Sequence, residues 1–327
     1  MIVVTGAAGF IGSNIVASLN EAGRTDLVLC DRLGSDDKWQ NLRKALFADF
    51  VFPDELTSWL AARSDVEAVI HMGAISSTTA SNADEVVETN FRLPVRLLDT
   101  CTVAGIPFLY ASSAAVYGDR ESGFGDSTSP QTIAELRPLN LYGWSKRQFD
   151  HLVATRAASG APMPPQWAGF RFFNVFGPNE YAKGDMASLV AKIIDPVRRG
   201  EQVSLFKSER KGVADGEQRR DFVYVKDAVA VVLWVLANRA VSGIFDVGTG
   251  EARSFRALAT SVFAAVGREP LIGYVDMPET LRDRYQYYTA ASLHRLREAG
   301  CRHAFMPLEE AVAAYVDGYL AAADRYR

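Results

Sequence analysis

The chain has 327 residues, of which 48% are apolar and 23% charged, and it carries a net charge of −4 at neutral pH. That composition supports a full hydrophobic core and argues against disorder, and the slightly acidic balance leaves no basic footprint for a nucleic acid. No apolar run reaches membrane-spanning length, and the chain opens directly on a strand-like run with no basic leader before it, so neither a membrane segment nor a signal peptide is expected.

Ile2-Val3-Val4-Thr5 reads as a buried strand, and Gly6-Ala7-Ala8-Gly9-Phe10-Ile11-Gly12 opens an amphipathic helix through Ile15, Val16 and Leu19. Strand, glycine turn and helix N-terminus together form a phosphate cradle, because unpaired N–H groups and the helix dipole both favour an anion there. A second apolar run, Leu27 to Cys30, ends in Asp31, where a carboxylate meets an adenosine ribose. The chain therefore begins with a nicotinamide dinucleotide site.

A helical stretch is expected around Lys38 to Phe47, a short strand at Ala48 to Phe50 and a helix over Asp54 to Arg63. A strand follows at Glu67 to His71, a long helix over Ala83 to Ala104, and a buried strand at Pro107 to Ser112. The next helix spans Tyr142 to Ala158, and Gly169 to Val175 is strand-like. Apolar strands alternating with helices predict an α/β fold, a Rossmann-type doubly wound parallel sheet, with a smaller α/β substrate-binding domain built from the less regular second half. There, Lys207 to Gln218 reads as an exposed loop. Strands are expected at Phe222 to Val225 and Gly243 to Gly248, and helices at Ala228 to Leu236, Phe255 to Val266 and Leu308 to Tyr319. The predicted division assigns 1–175 plus 219–250 to the dinucleotide and 176–218 plus 251–327 to the substrate.

Cys30, Cys101 and Cys301 are widely spaced and suit buried thiols in a reducing cytoplasm. His71, His151, His294 and His303 show no metal-ligand spacing, so no metal is expected. The chemistry rests instead on Ser113 at a strand end and on Tyr142 and Lys146, one helical turn apart on one face. A phenol titrates at about 10 in isolation, and a neighbouring ammonium and a cationic nicotinamide both favour the phenolate. Such a group takes a proton from a sugar hydroxyl while hydride leaves the same carbon, with the serine hydroxyl holding the oxygen in line.

Ala111-Ser112-Ser113-Ala114-Ala115-Val116-Tyr117-Gly118 and Tyr142-Gly143-Trp144-Ser145-Lys146 resemble the extended short-chain dehydrogenase/reductases that modify nucleotide sugars. Phe172 to Pro178 and Arg220 to Val225 extend the likeness. Within that group the chain is similar to the ADP-L-glycero-D-manno-heptose 6-epimerase family. The likeness lies in Gly73 to Thr79, Phe108 to Ala115, Lys183 to Ser188, Ser242 to Phe245 with Gly248-Thr249-Gly250, and Arg284-Tyr285-Gln286. The resemblance implies epimerisation at C6″ by oxidation to a ketone and re-reduction. It implies Tyr142 as principal acid/base, Lys146 as its partner and a ribose contact, Ser113 as hydroxyl clamp and Lys183 as a second acid/base. It further implies substrate contacts at Asn174, Phe206, Lys207, Ser208, Glu209, Arg220 and Tyr285. Cofactor contacts are expected at Gly6, Gly9, Phe10, Ile11, Gly12, Asp31, Arg32, Lys38, Met72, Gly73, Ala74, Ser76, Asn90 and Lys146. Lys183 would need its pKa lowered, by partial burial and by cations such as Lys146.

The chain departs from the family pattern at Met72, often acidic, at Arg32, usually Asn, at Ala8, usually Gly, and in the length of the Lys207 to Arg219 loop. Asp31 alone favours NAD, since a carboxylate repels a 2′-phosphate; Arg32, Lys38 and the resemblance favour NADP. The expected partner is a nucleotide sugar, ADP-heptose, and the resemblance implies a homo-oligomer, with a pentamer as its form. A UDP-hexose 4-epimerase is the alternative enzyme, and a silent dinucleotide-binding regulator the alternative outside catalysis. A 4,6-dehydratase is disfavoured because Ala114 and Ala115 replace the acidic pair that drives elimination.

Overall fold

A computed structural model describes residues 1–120, 124–125, 128–282 and 285–327. Arg284, part of the heptose-epimerase likeness, lies outside the described residues.

The strands are β1 (Ile2–Thr5), β2 (Leu27–Cys30), β3 (Asp49–Val51), β4 (Ala68–His71), β5 (Phe108–Ser113), β6 (Trp167–Phe172), β7 (Asn174–Phe176), β8 (Val203–Phe206), β9 (Arg219–Tyr224), β10 (Gly243–Val247), β11 (Ala252–Ser254) and β12 (Ile272–Val275). The helices are α1 (Phe10–Glu21), α2 (Leu56–Ala61), α3 (Ala83–Val87), α4 (Leu93–Ala104), α5 (Pro130–Ala134), α6 (Leu141–Ala158), α7 (Leu189–Arg199), α8 (Val225–Ala237), α9 (Phe255–Ala265), α10 (Glu279–Arg282), α11 (His294–Glu298) and α12 (Leu308–Tyr315).

Seven strands form one sheet in the order β10-β6-β5-β4-β1-β2-β3, and all its pairings are parallel. Both faces are covered, as near-continuous apolar strands require. Ile2, Val4, Leu27, Leu29 and Ile70 pack into one core, and Val3, Val28 and Val69 into another on the opposite face. From β1 the order runs outward through β2 on one side and β4 on the other, so a crevice opens at the carboxyl ends of β1 and β4.

The expected strand over Gly169 to Val175 is two strands. β6 ends at Phe172, Phe173 N bonds to Val247 O at 3.0 Å, and β7 crosses into a separate three-stranded sheet ordered β11-β9-β7. A parallel pair of β8 and β12 completes the smaller part. The expected helix over Lys38 to Phe47 is only a 3-10 turn, Asp37–Leu42. Asp36 caps it through Lys38 N, and Asn41 Nδ2 bonds to the carbonyls of Ala8 and Asn179, so tertiary contacts fix a tight turn there. The long helix over Ala83 to Ala104 contains a π turn, Glu88–Arg92, between α3 and α4. The C-terminal helix likewise continues past α12 as a π turn, Val316–Leu320.

Candidate active site

The glycine turn after β1 is tied to the loop after β4. Gly6 has a φ of 62°, and a Cβ there would meet Gly73 N at 2.6 Å. A Cβ on Gly12 would meet Gly6 O at 2.1 Å, so the helix can start this close to the turn only without a side chain. Gly73 N donates to Thr5 Oγ1 at 3.1 Å, which fixes the two loops against each other. The cleft between them has a volume of about 550 Å³. Of the expected cofactor contacts, Gly6, Gly9, Phe10, Ile11, Gly12, Asp31, Lys38, Met72, Gly73, Ala74, Ser76 and Lys146 line it. A cradle that any Cβ would fill, beside a helix N-terminus and a ribose-height carboxylate, fits a dinucleotide.

Asp31 is one-tenth exposed and well bonded. Ala8 N donates to one oxygen at 2.8 Å; Arg32 N and Lys38 Nζ donate to the other at 2.7 and 2.9 Å. Lys38 thus offsets the carboxylate's charge at the cleft wall. Arg32 and Asn90 stand off the cleft lining. The Arg32 guanidinium bonds Asp54 at 2.6 Å on the surface. Asn90 is fully buried in the π turn and bonds both N and O of Ile75, at 2.8 and 2.9 Å, and the Ser145 hydroxyl at 3.0 Å. It braces the loop after β4 against α6.

Ser113, Tyr142 and Lys146 come together on the same cleft. Asn140 caps α6 through Gly143 N at 2.8 Å, and Gly143 lies so near Ala115 O that a Cβ would approach it to 2.6 Å. The first turn of α6 therefore sits hard against the end of β5, and the Ser113 hydroxyl reaches the Tyr142 phenol. The phenol's pKa is raised, contrary to the sequence expectation. Burial is the main cause, the Ser113 bond opposes it, and Asp150 adds to it. Lys146 is itself buried and pushed down to about 8, with Asp150 opposing. Within the chain alone desolvation dominates, and the expected help from the Lys146 ammonium is not among the causes of the shift.

A second cavity, of about 540 Å³, adjoins the first. Asn174, Lys183, Phe206 and Tyr285 line it, together with Met186, Ser188, Gln218 and Phe255, which the sequence analysis did not assign. Lys183 lines both cavities, and its Nζ stands 5.0 Å from the Phe10 ring centroid. Its pKa is lowered by burial, opposed by Glu180. The cation that adds to the lowering is Lys192 of α7, whose Nζ also bonds Asp185 O at 2.7 Å, and not Lys146.

Arg220 lies behind the cavity wall, 6% exposed, with its guanidinium 5.0 Å from the Tyr285 ring and 5.7 Å from the Phe255 ring. It bonds Arg219 O at 2.8 Å, and no carboxylate pairs with it among the described residues. Burial lowers its pKa, Tyr285 opposing. A buried guanidinium without a carboxylate suits a phosphate. The remaining expected contacts are engaged elsewhere: Lys207 with Asp276 at 2.9 Å, Glu209 with Arg282 at 2.7 Å, and Ser208 N with Asp215 at 2.7 Å. Gln218 is 1% exposed, and its amide bonds the carbonyls of Phe206 and Lys207, fixing the end of β8.

Comparison with known proteins agrees with this geometry. The profile of a family described as "NAD dependent epimerase/dehydratase family" matches residues 2–248. An ADP-L-glycero-D-manno-heptose-6-epimerase of Nitratidesulfovibrio vulgaris strain DP4 is 46% identical, and one of Fusobacterium nucleatum is 44% identical, each over 100% of both chains. The crystal structure of the Helicobacter pylori ADP-L-glycero-D-manno-heptose-6-epimerase has a TM-score of 0.79 and 25% identity, covering 97% of this chain and 95% of that one. A Thermus thermophilus UDP-glucose 4-epimerase in complex with NAD has a TM-score of 0.76 and 26% identity, covering 97% of each chain. The chain therefore belongs to the NAD dependent epimerase/dehydratase family, in the group of the ADP-L-glycero-D-manno-heptose-6-epimerases.

Proposed function

We propose that the protein interconverts the two C6″ epimers of ADP-glycero-D-manno-heptose. The observation that carries this reading is Lys183: a half-buried amine with a lowered pKa, shared by the dinucleotide cleft and the cavity beside it. A nicotinamide, when bound, supplies reversible hydride transfer at C6″. Tyr142 takes the proton of the 6″-hydroxyl, with Ser113 donating to the same oxygen. Lys146, charged, favours the phenolate that burial disfavours. After rotation about the exocyclic bond, Lys183 serves the oxygen on the other side. Arg220 binds the diphosphate. The UDP-hexose alternative is the weaker reading, since full-length heptose epimerases reach 46% identity and the UDP-glucose 4-epimerase structure 26%.

The test is to incubate the protein with each epimer of ADP-heptose, and with UDP-glucose, and to quantify the products. Interconversion of the heptoses only, lost in Lys183→Met with cofactor retention intact, is the expected result. Conversion of UDP-glucose alone overturns the heptose reading.

The preferred cofactor in this reading is NADP, with NAD as the alternative. Lys38 cancels the Asp31 charge that would repel a 2′-phosphate, and Arg32 stands next in the chain. Calorimetry on Arg32→Ala/Lys38→Ala should show weakened NADP and near-unchanged NAD; equal losses overturn the assignment. The same reading takes residues 1–175 with 219–250 as the dinucleotide part and the rest as the substrate part, and expects a cytoplasmic homo-oligomer, a pentamer on the family likeness, which sedimentation measures directly.

A further inference from the structure

Lys183 lies on a bent segment, 177–188, that leaves β7 and enters α7. Three of its residues have positive φ: Gly177 at 144°, Asn179 at 72° and Gly184 at 52°. Such a chain has many alternative paths, yet its amine must stand at one point between two cavities. The side chain of Glu180 is what closes it. Glu180 is 0% exposed. Its Oε1 accepts from Gly177 N at 3.2 Å and from the Ser188 hydroxyl at 2.7 Å, and its Oε2 accepts from Ser188 N at 2.6 Å. Gly177 and Ser188 are the two ends of the segment. The Ser188 hydroxyl also accepts from Ala191 N at 3.3 Å, so the closure is continuous with the cap of α7. Between the ends, Lys183 N donates to Glu180 O at 3.1 Å, which folds the lysine back over the same residue.

A fully buried carboxylate is costly unless its oxygens are bonded. Among the described residues no ion pair meets Glu180 within 4.0 Å, so backbone and hydroxyl donors carry that compensation. Tyr181 and Tyr315 flank it, and Lys183 is the cation that acts on it.

We propose that Glu180 is a positioning residue for the epimerisation: by bonding both ends of segment 177–188 it sets where the Lys183 amine stands between the cofactor and substrate cavities. This rests on Lys183 as the second acid/base. Two proton-transfer groups serving two epimers give the proposal a signature that general destabilisation lacks. Displacing Lys183 slows oxidation of the epimer whose hydroxyl it serves and spares the epimer served by Tyr142.

The experiment mixes cofactor-loaded protein with each ADP-heptose epimer and follows the nicotinamide absorbance in a single turnover, for wild type, Glu180→Gln, Ser188→Ala and Lys183→Met. In Glu180→Gln the oxidation of one epimer should fall by roughly 10²-fold, as a displacement of about 1 Å warrants, with KM and cofactor retention within about twofold of wild type. Ser188→Ala removes the hydroxyl bond of the closure at the other end and keeps the Ser188 N bond to Oε2, and should show a smaller loss on the same one epimer even where Glu180→Gln does not fold. Equal losses for both epimers, or unchanged rates in both variants, overturn the proposal. A Lys183→Met variant that oxidises both epimers at wild-type rates overturns the acid/base reading itself; a one-sided Lys183→Met with unaffected Glu180 and Ser188 variants overturns only the role of Glu180.

Discussion

At the scale of single residues, Lys146 shows how the site is held at the expense of the fold. The amine is 3% exposed, and burial brings its pKa from 10.5 in a free chain to about 8. The unfolded chain therefore binds more protons between those two values, so this group makes stability rise with pH across that window. Below about 8 the full penalty of a buried charge is present. Lys146→Met keeps the length of the side chain and removes the charge. It should raise unfolding stability at neutral pH, by on the order of 3 kcal/mol at most, and flatten the rise between pH 8 and 10.5. Denaturant unfolding at neutral and alkaline pH measures both. Loss of stability in the variant at neutral pH would contradict the assignment. Tyr142 belongs to the same argument: burial disfavours its phenolate, so a charged neighbour is useful there even though it is costly to bury.

At the scale of elements, α6 is locked to the sheet by a buried ion pair that no local pattern reveals. Asp150, one turn beyond Lys146, accepts from Arg171 Nε of β6 at 2.8 Å, from Ser112 of β5 at 2.9 Å and from Tyr110 of β5 at 3.2 Å. Arg171 Nη1 donates to the Tyr117 hydroxyl at 3.0 Å, and that hydroxyl donates to Asp246 of β10 at 2.7 Å. Both members of the pair are essentially unexposed, at 1% and 0%. Arg171→Met should destabilise the protein by about 3–5 kcal/mol, because it strands the Asp150 carboxylate. Adding Asp150→Asn, which removes the stranded charge, should recover much of the loss, and the difference in urea midpoints reads this out. Sequence alone gives the alternation of β1, α1, β2 and β4, because each strand is short, apolar and bounded by a turn. It gives the glycine turn and the Ser113, Tyr142 and Lys146 set, because these are local motifs. It does not give the break at Phe173, since Phe172-Phe173 is one apolar run and the exchange of sheets depends on Val247 and β9, far along the chain. For the same reason Gln218 and Phe255 were not assigned to the substrate cavity: each reaches it through a tertiary contact.

At the scale of the whole molecule, the cofactor cleft and the segment that bears Lys183 are tied together by residues from the far end of the sequence. Arg325 stacks over the Tyr181 ring at 3.7 Å, and the Tyr181 hydroxyl donates to Arg325 O at 2.6 Å. Arg327 goes further. Its guanidinium reaches α1, bonding Asn14 O and Oδ1 at 3.2 Å, Ser18 Oγ at 2.8 Å and Glu21 at 2.6 Å, while its backbone N donates to Asn179 Oδ1 at 3.0 Å. Its side chain is 6% exposed although Glu21 is 62% exposed, so the interaction is partly screened on one side and sheltered on the other. α1 follows the phosphate turn, and Asn179 begins the approach to Lys183, so this one residue touches both halves of the site, its side chain on α1 and its backbone on Asn179. Hydrogen bonds to a charged group contribute about 1.5–3 kcal/mol, and solvent on the Glu21 side places this contact toward the lower figure. Arg327→Ala should therefore lower unfolding stability by roughly 1–2 kcal/mol and make the bound dinucleotide easier to lose. Lys183 should be displaced only slightly, because Glu180 still closes its segment. Thermal unfolding with and without dinucleotide, together with the dinucleotide dissociation rate, measures both effects. A variant with unchanged dissociation but lowered stability would confine Arg327 to the fold, and one with neither change would remove it from the account of the site.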